Sequence, residues 1–187
     1  MSDSFTDDVF IQPNLIPVGR SGGIFGWFQK DIYLQTDPWS IIWTADGKRY
    51  RMYFKRGNVT DIASVPRFLW FFITPDGEHR GAALPHDELY QYQGKLPDGR
   101  LFVEEDGKWK ALNGCVWTKN DADKFFANIL DRIGVKKFKR RAMYLGVHFF
   151  GGGPWKKVYK PLLTPERIEY LLQKYDAGRL LDAKDSE

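Results

Sequence analysis

The stretch Pro85-His86-Asp87-Glu88-Leu89-Tyr90 gathers an imidazole, a carboxylate and a phenol within little more than one helical turn. On a helix, His86 and Tyr90 share a face and Asp87 stands on its flank. A second stretch, Asn120-Asp121-Ala122-Asp123-Lys124-Phe125-Phe126, sets Asp123 just ahead of the apolar positions Phe125, Phe126, Ile129 and Leu130, the buried side of another helix. Where two such helices pack, a base, an orienting partner and a metal ligand can meet. An imidazole with an unperturbed pKa of ~6.5 can be neutral and basic near neutral pH. A buried carboxylate behind it fixes the tautomer and steadies the imidazolium formed during reaction. General-base help of this kind is worth roughly 10²–10⁴ in rate.

The same residues admit two other readings. His86, Asp87, Tyr90 and Asp123 can form a satisfied polar network that pins two helices together. Asp61, His86, Asp87 and either Asp123 or Asp121 can also ligate zinc or manganese, although their spacing is not diagnostic of a metal site. Catalysis requires one His86 ring nitrogen open to a cleft and Asp123 on the other. A purely structural network requires all four groups buried and mutually saturated.

The elements that must position these residues follow from local pattern. Trp39–Thr44 and Lys48–Lys55 are aromatic-rich runs joined through Asp46-Gly47, the favoured pair for a tight primed turn, and predict a hairpin. Tyr50, Met52 and Phe54 alternate with polar neighbours, as in a strand with one covered face. Ile24 to Leu34 reads as a further strand. Thr60 to Pro66 reads as a tight loop, Phe68 to Ile73 as a short buried segment, and Thr74-Pro75-Asp76-Gly77 as a turn. Pro85 suits the first turn of the His86 helix, where its missing N–H has no partner to lose. A second hairpin, Leu101–Val103 and Lys108–Lys110 around Asp106-Gly107, is inserted between the two key helices.

Thr118 or Asn120 can cap the Asp123 helix, and Gly134 ends it. A third helix is expected over Lys137–Phe149, with Phe138, Ala142, Leu145 and Phe149 on one face, stopped by Gly151-Gly152-Gly153-Pro154. A fourth starts at Thr164-Pro165-Glu166, buries Ile168, Leu171, Leu172 and Tyr175, and ends at Gly178. The expected fold is α+β: N-terminal antiparallel β-hairpins packed on a half of three to four helices with an inserted β-hairpin. Residues 1–20 are an expected N-terminal arm, 21–178 one globular domain, and 179–187 a polar tail.

Bulk properties agree. The chain has 187 residues, 43% hydrophobic and 16% aromatic, enough for one core. No apolar run reaches bilayer length, and the polar, acidic start lacks the form of a signal peptide. Cys115 is the only cysteine, which fits a reducing compartment. The net charge of +4 permits attraction to phosphates or anionic lipid without demanding it. Lys136, Lys137, Lys139, Arg140 and Arg141 form a basic cluster that can rest on lipid headgroups or nucleic-acid phosphates. Such charges are more often a solvated helix face, and nucleic acid is the least favoured partner. Trp27, Trp39, Trp43 and Trp70 read as core. His79 and His148 show no partner pattern, and glycines 151–153 lack the Lys-Ser/Thr of a phosphate loop.

Two resemblances add to this reading. The run Thr60-Asp61-Ile62-Ala63-Ser64-Val65-Pro66-Arg67, then Ala82-Ala83-Leu84-Pro85-His86-Asp87-Glu88-Leu89-Tyr90, then Ala122-Asp123-Lys124-Phe125-Phe126, resembles the phage and prophage family called domain of unknown function 1353, over roughly residues 30–155. That resemblance implies a phage origin with tail or lysis genes, synthesis in the host cytoplasm, a possible place in the virion, and other tail proteins as partners. The narrower pattern, His-Asp-x-x-Tyr on one helix and Ala-Asp-x-x-Phe on the next, resembles the catalytic pair of phospholipase A₂ enzymes, above all the form in parvovirus capsid proteins. By that resemblance His86 deprotonates a water, Asp123 holds the imidazole, Tyr90 hydrogen-bonds Asp123, and Asp87, with Asp61 as a further candidate ligand, binds calcium. The implied activity is calcium-dependent ester hydrolysis on membrane lipid. The Cys- and Gly-rich calcium loop of the secreted enzymes is absent, leaving Thr60–Pro66 and Thr74–Glu78 as the stretches that can replace it.

Overall fold

Two Asp-Gly turns shape the larger of two sheets. Asp46 (φ 49°) and Gly47 (φ 73°) join β3 (Trp39–Ala45) to β4 (Lys48–Phe54), and Asp106 (φ 52°) and Gly107 (φ 71°) join β6 (Leu101–Glu105) to β7 (Lys108–Ala111). Both turns have positive φ at each central residue, the geometry whose twist matches that of paired strands. The computed structural model describes residues 12–21, 30–60, 80–157 and 161–184. Within them the larger sheet runs β3-β4-β6-β7, antiparallel throughout. Its register aligns Ile41 with Met52 and Met52 with Leu101. These three, together with Trp43, Phe54 and Val103, form the buried face, as strand alternation requires.

Four helices cover that face or its margins: α1 (Arg80–Gln91), α2 (Lys119–Arg132), α3 (Lys137–Phe150) and the short α4 (Gly152–Lys156). Leu84 and Leu89 of α1, Phe125, Phe126, Ile129 and Leu130 of α2, and Met143 and Val147 of α3 join the sheet in one core. Burying side chains of this size contributes about 1.5–3 kcal/mol each. The start of α2 is fixed by a capping box. Thr118 Oγ1 accepts from the Asp121 N–H at 3.2 Å, and Asp121 Oδ2 accepts from the Thr118 N–H at 3.0 Å. At the other end Gly134 takes φ 78°, as expected of a helix stop.

A smaller antiparallel sheet orders β1 (Leu15–Ser21), β2 (Lys30–Gln35) and β5 (Val59–Thr60) as β1-β2-β5. Its Ile32, Leu34 and Val59 pack against Ile168, Leu171 and Leu172 of α5 (Pro165–Lys184). Arg56 Nη2 meets Asp176 Oδ2 at 2.5 Å along the same contact. Gly57, at φ 87°, lies where a Cβ would sit 3.3 Å from Ile168 Cγ2, so both backbone and space favour glycine. Buried Gln35 links the sheets by donating to Phe54 O at 3.4 Å.

The α+β class, with antiparallel strands in the N-terminal half followed by helices, is as the pattern indicated. Local expectations differ in four places. The residues expected as an arm over 1–20 include strand β1, which pairs with β2. Pro85 lies inside α1, not at its first turn, because the small residues Gly81, Ala82 and Ala83 let the helix begin earlier, at Arg80. The Gly81 N–H is taken by the Gln12 side chain at 2.9 Å. Helix α5 passes through Gly178 to Lys184. Most consequential, Phe138, Leu145 and Phe149 do not enter the core. They are exposed, and α3 buries Met143, Gly146 and Val147 instead. The readings of Thr60–Pro66 beyond Thr60, Phe68–Ile73 and Thr74–Glu78, together with Trp27, Trp70 and His79, fall outside the described residues.

Candidate active site

Helix α1 places His86 and Tyr90 on one face, ring over ring at 4.2 Å between centroids. The other side of the imidazole lies against Phe126 of α2 at 4.9 Å. That packing directs His86 Nε2 to Asp123 Oδ1 at 3.3 Å. The Tyr90 hydroxyl donates to the same oxygen at 2.6 Å. Lys119, one turn before Asp123 on α2, donates to Oδ2 at 2.6 Å. It also donates to the carbonyls of Val147 at 3.1 Å and His148 at 2.8 Å. His148 Nδ1 lies 3.6 Å from Asp123 Oδ2. Both oxygens of a carboxylate with no exposed surface are thus engaged by donors from two helices, with His148 of α3 close by.

The electrostatics follow from this arrangement. Burial alone would raise the Asp123 pKa. The bonds from His86, Lys119 and Tyr90 outweigh it and hold the group at about 2, so it is a carboxylate across the working pH range. Burial pushes the His86 imidazolium toward losing its proton, but Asp123 and Asp87 reverse that, and its pKa ends above the ordinary 6.5. The Tyr90 phenol is raised by burial and by Asp123, so it stays a donor.

Asp87 stands beside the second ring nitrogen, its Oδ1 3.9 Å from His86 Nδ1. Its other oxygen accepts from Thr60 Oγ1 at 2.6 Å. The next residue, Glu88, turns to the opposite side of α1, where it meets Arg100 Nε at 3.1 Å and accepts from Asn58 Nδ2 at 3.2 Å. Burial raises its pKa against the pull of Arg100 and Asn58. Thr60 and Asn58 therefore fasten α1 to the end of β5 through two successive carboxylates.

The structure brings together His86, Tyr90, Asp123 and Asp87. Asp61 lies outside the described residues. Asp121 is committed to the helix cap and does not share the site. Among the described residues no group of three or more His, Cys, Asp or Glu side chains could hold a metal ion. Lys136, Lys137, Lys139 and Arg141 are exposed, while Arg140 is half-buried and ion-paired with Asp131.

The His86 ring is 5% exposed, where a working base was expected to meet a cleft. The second ring nitrogen, Nδ1, has Asp87 Oδ1 at 3.9 Å.

Three participants had no place in the pattern read from the sequence. Lys119 left a signal, a lysine one turn before an aspartate on a helix. His148 left none, since it arrives from α3. The sequence marks Gly151 only as a turn residue, whereas a Cβ there would collide with the Tyr90 hydroxyl and the Val147 carbonyl.

The family described as protein of unknown function (DUF1353) matches residues 40–147, more than half of the chain. The chain belongs to this family. Searches of the curated proteins and of the solved structures found no match. The DUF1353 segment begins within β3 and ends at Val147 in α3, so it carries the larger sheet and all of His86, Asp87, Tyr90, Lys119 and Asp123. Strands β1 and β2 and helix α5 lie beyond it.

Proposed function

We propose that this DUF1353 protein is an ester hydrolase of the phospholipase A₂ kind, built on the His86–Asp123 pair. The observation that carries the reading is the division of labour around the imidazole. Nε2 faces a buried carboxylate that is itself held by Tyr90 and Lys119, and Nδ1 lies on the side of Asp87. In the reaction, Nδ1 takes a proton from a water as its oxygen attacks the ester carbonyl. The tetrahedral intermediate then collapses, and the departing alkoxide takes that proton from the imidazolium, giving acid and alcohol. Asp123 stabilises the imidazolium throughout, and Tyr90 and Lys119 position Asp123. Calcium, which the resemblance implies, would polarise the carbonyl. A hard cation of this type takes about 6–8 oxygens. On the Nδ1 side of His86 the described residues offer one carboxylate, that of Asp87, with one oxygen already accepting from Thr60. This donor set does not by itself make a calcium site, and no step above depends on the ion.

A second reading is favoured by the burial of the ring. Here His86, Tyr90 and Asp123 are architecture, joining α1 to α2 in a non-catalytic phage tail or baseplate component. Fatty-acid release from phospholipid vesicles, with and without added calcium, separates the two. The hydrolase reading expects release that falls by roughly 10²–10⁴ in His86→Asn while circular dichroism shows the fold retained. A wild-type protein that releases nothing from several lipids in either condition leaves the architectural reading standing.

A further inference from the structure

Helix α3 carries an apolar stripe on its solvent side. Phe149 is 71% exposed, Leu145 38% and Phe138 73%. At 100° per residue, positions 138, 142, 145 and 149 fall on one line, running about 16 Å along the helix at 1.5 Å per residue. Lys137 and Arg141 border this line on one edge and Lys139 on the other, with Lys136 at the helix start. No acidic residue occurs between Lys136 and Phe150. The opposite side, Met143, Gly146 and Val147, is already in the core, so the stripe is not a misplaced core face.

We propose that this face of α3 docks on an anionic lipid surface. Leu145 and Phe149, extended by Phe138, enter the headgroup–acyl boundary, and Lys136, Lys137, Lys139 and Arg141 reach the phosphates beside them. An apolar line edged by long cationic side chains is the pattern of a helix lying in a membrane interface. Nucleic acid would engage the cations but gain nothing from a central line of phenylalanine and leucine. A second copy of the chain would bring two sets of four cations together. The C-terminal end of α3 also supplies the Val147 and His148 carbonyls to Lys119, so docking sets the His86–Asp123 pair beside the lipid. The proposal goes beyond ester hydrolysis and is tested without turnover.

The test is flotation with vesicles of equimolar phosphatidylcholine and phosphatidylglycerol, against pure phosphatidylcholine, at moderate salt. Wild type should float with the anionic vesicles and bind the neutral ones at least about tenfold more weakly. Leu145→Ser with Phe149→Ser should lower partitioning about tenfold or more. Lys137→Glu, Lys139→Glu and Arg141→Glu together should lower it about a hundredfold. All of these side chains are exposed, so circular dichroism and thermal melting should not change. Wild type that stays unbound overturns the proposal. So does binding indifferent to the Leu145/Phe149 pair, with duplex DNA competing equally, which marks general polyanion adsorption. A dimer in light scattering that Phe149→Ser dissolves also overturns it, because the face is then a contact between copies. Docking that persists in His86→Asn, whether or not the wild type hydrolyses lipid, keeps this proposal separate from the previous one.

Discussion

Replacing Asp123 by asparagine should destabilise the fold in a way that depends on pH, and the dependence is the informative part. The wild-type carboxylate falls from the ordinary 3.8 to about 2 on folding. At about 1.4 kcal/mol per unit that shift amounts to roughly 2–3 kcal/mol near pH 7. Because the folded pKa is the lower one, this stability is present above the unfolded value and is lost as pH falls toward 2. With these two pKa values, about half of it is gone by about pH 3. Asparagine has no such titration. It can also take only part of the load, since Lys119 and His86 would lose the anion they face in a buried site. Breaking a buried charge pair typically costs about 3–5 kcal/mol. Urea unfolding of Asp123→Asn and wild type across this range should therefore give a difference near 3 kcal/mol at about pH 7 that shrinks by about 1 kcal/mol by about pH 3. A difference that stays constant over that range would refute the charge assignment at the centre of the site. A difference below about 1 kcal/mol at neutral pH would refute the claim that Asp123 holds the two helices.

Three further outcomes test separate parts of the arrangement. Gly151→Ala should destabilise by about 1–3 kcal/mol, because its methyl meets the Tyr90 hydroxyl and the Val147 carbonyl, and Tyr90→Phe in the same chain should recover part of the loss in thermal melts. Arg100→Ala leaves the Glu88 carboxylate buried without its cation and should cost about 3–5 kcal/mol near neutral pH; adding Glu88→Gln should recover some of it, and strictly additive effects would show that the pair is not coupled. The His86 pKa is raised on folding, so its contribution to stability is full below 6.5 and is lost as pH rises through the folded value; any esterase activity needs the neutral ring and should climb over that same interval. A His86 resonance titrating at or below 6.5 in NMR would contradict both halves of that statement.

What could be read from the sequence was local. Asp46-Gly47 and Asp106-Gly107 specify their turns within two residues, and Thr118 with Asp121 specifies a helix start within four, so neither needs knowledge of the fold. The meeting of His86 with Asp123 was legible for a related reason. Each sits on a helix whose apolar side is unambiguous, and two such sides have to face one another. Helix α3 shows where that logic fails. Its sequence offers two apolar lines, Phe138-Ala142-Leu145-Phe149 and Met143-Gly146-Val147, and periodicity ranks the first higher because it holds the larger side chains. Packing chose the second: Gly146 is buried with Met143 and Val147, and Gly151 lets the backbone approach the Tyr90–Lys119 corner, where a side chain would collide.

That choice ties the two proposals to a single physical cause. The small-residue side of α3 has to face inward because Lys119 needs the Val147 and His148 carbonyls, and Lys119 needs them because Asp123 is held entirely out of water. Once that side is committed, the aromatic side faces outward, with Lys137, Lys139 and Arg141 along its N-terminal half. Replacing Lys119 by methionine should therefore be felt in two places. It should raise the Asp123 pKa, because one of the bonds holding it down is gone, and it should loosen the C-terminal turn of α3, read as faster amide hydrogen exchange in the residues around Phe149. If exchange there is unchanged while stability falls, the buried carboxylate and the exposed stripe are independent features of the fold.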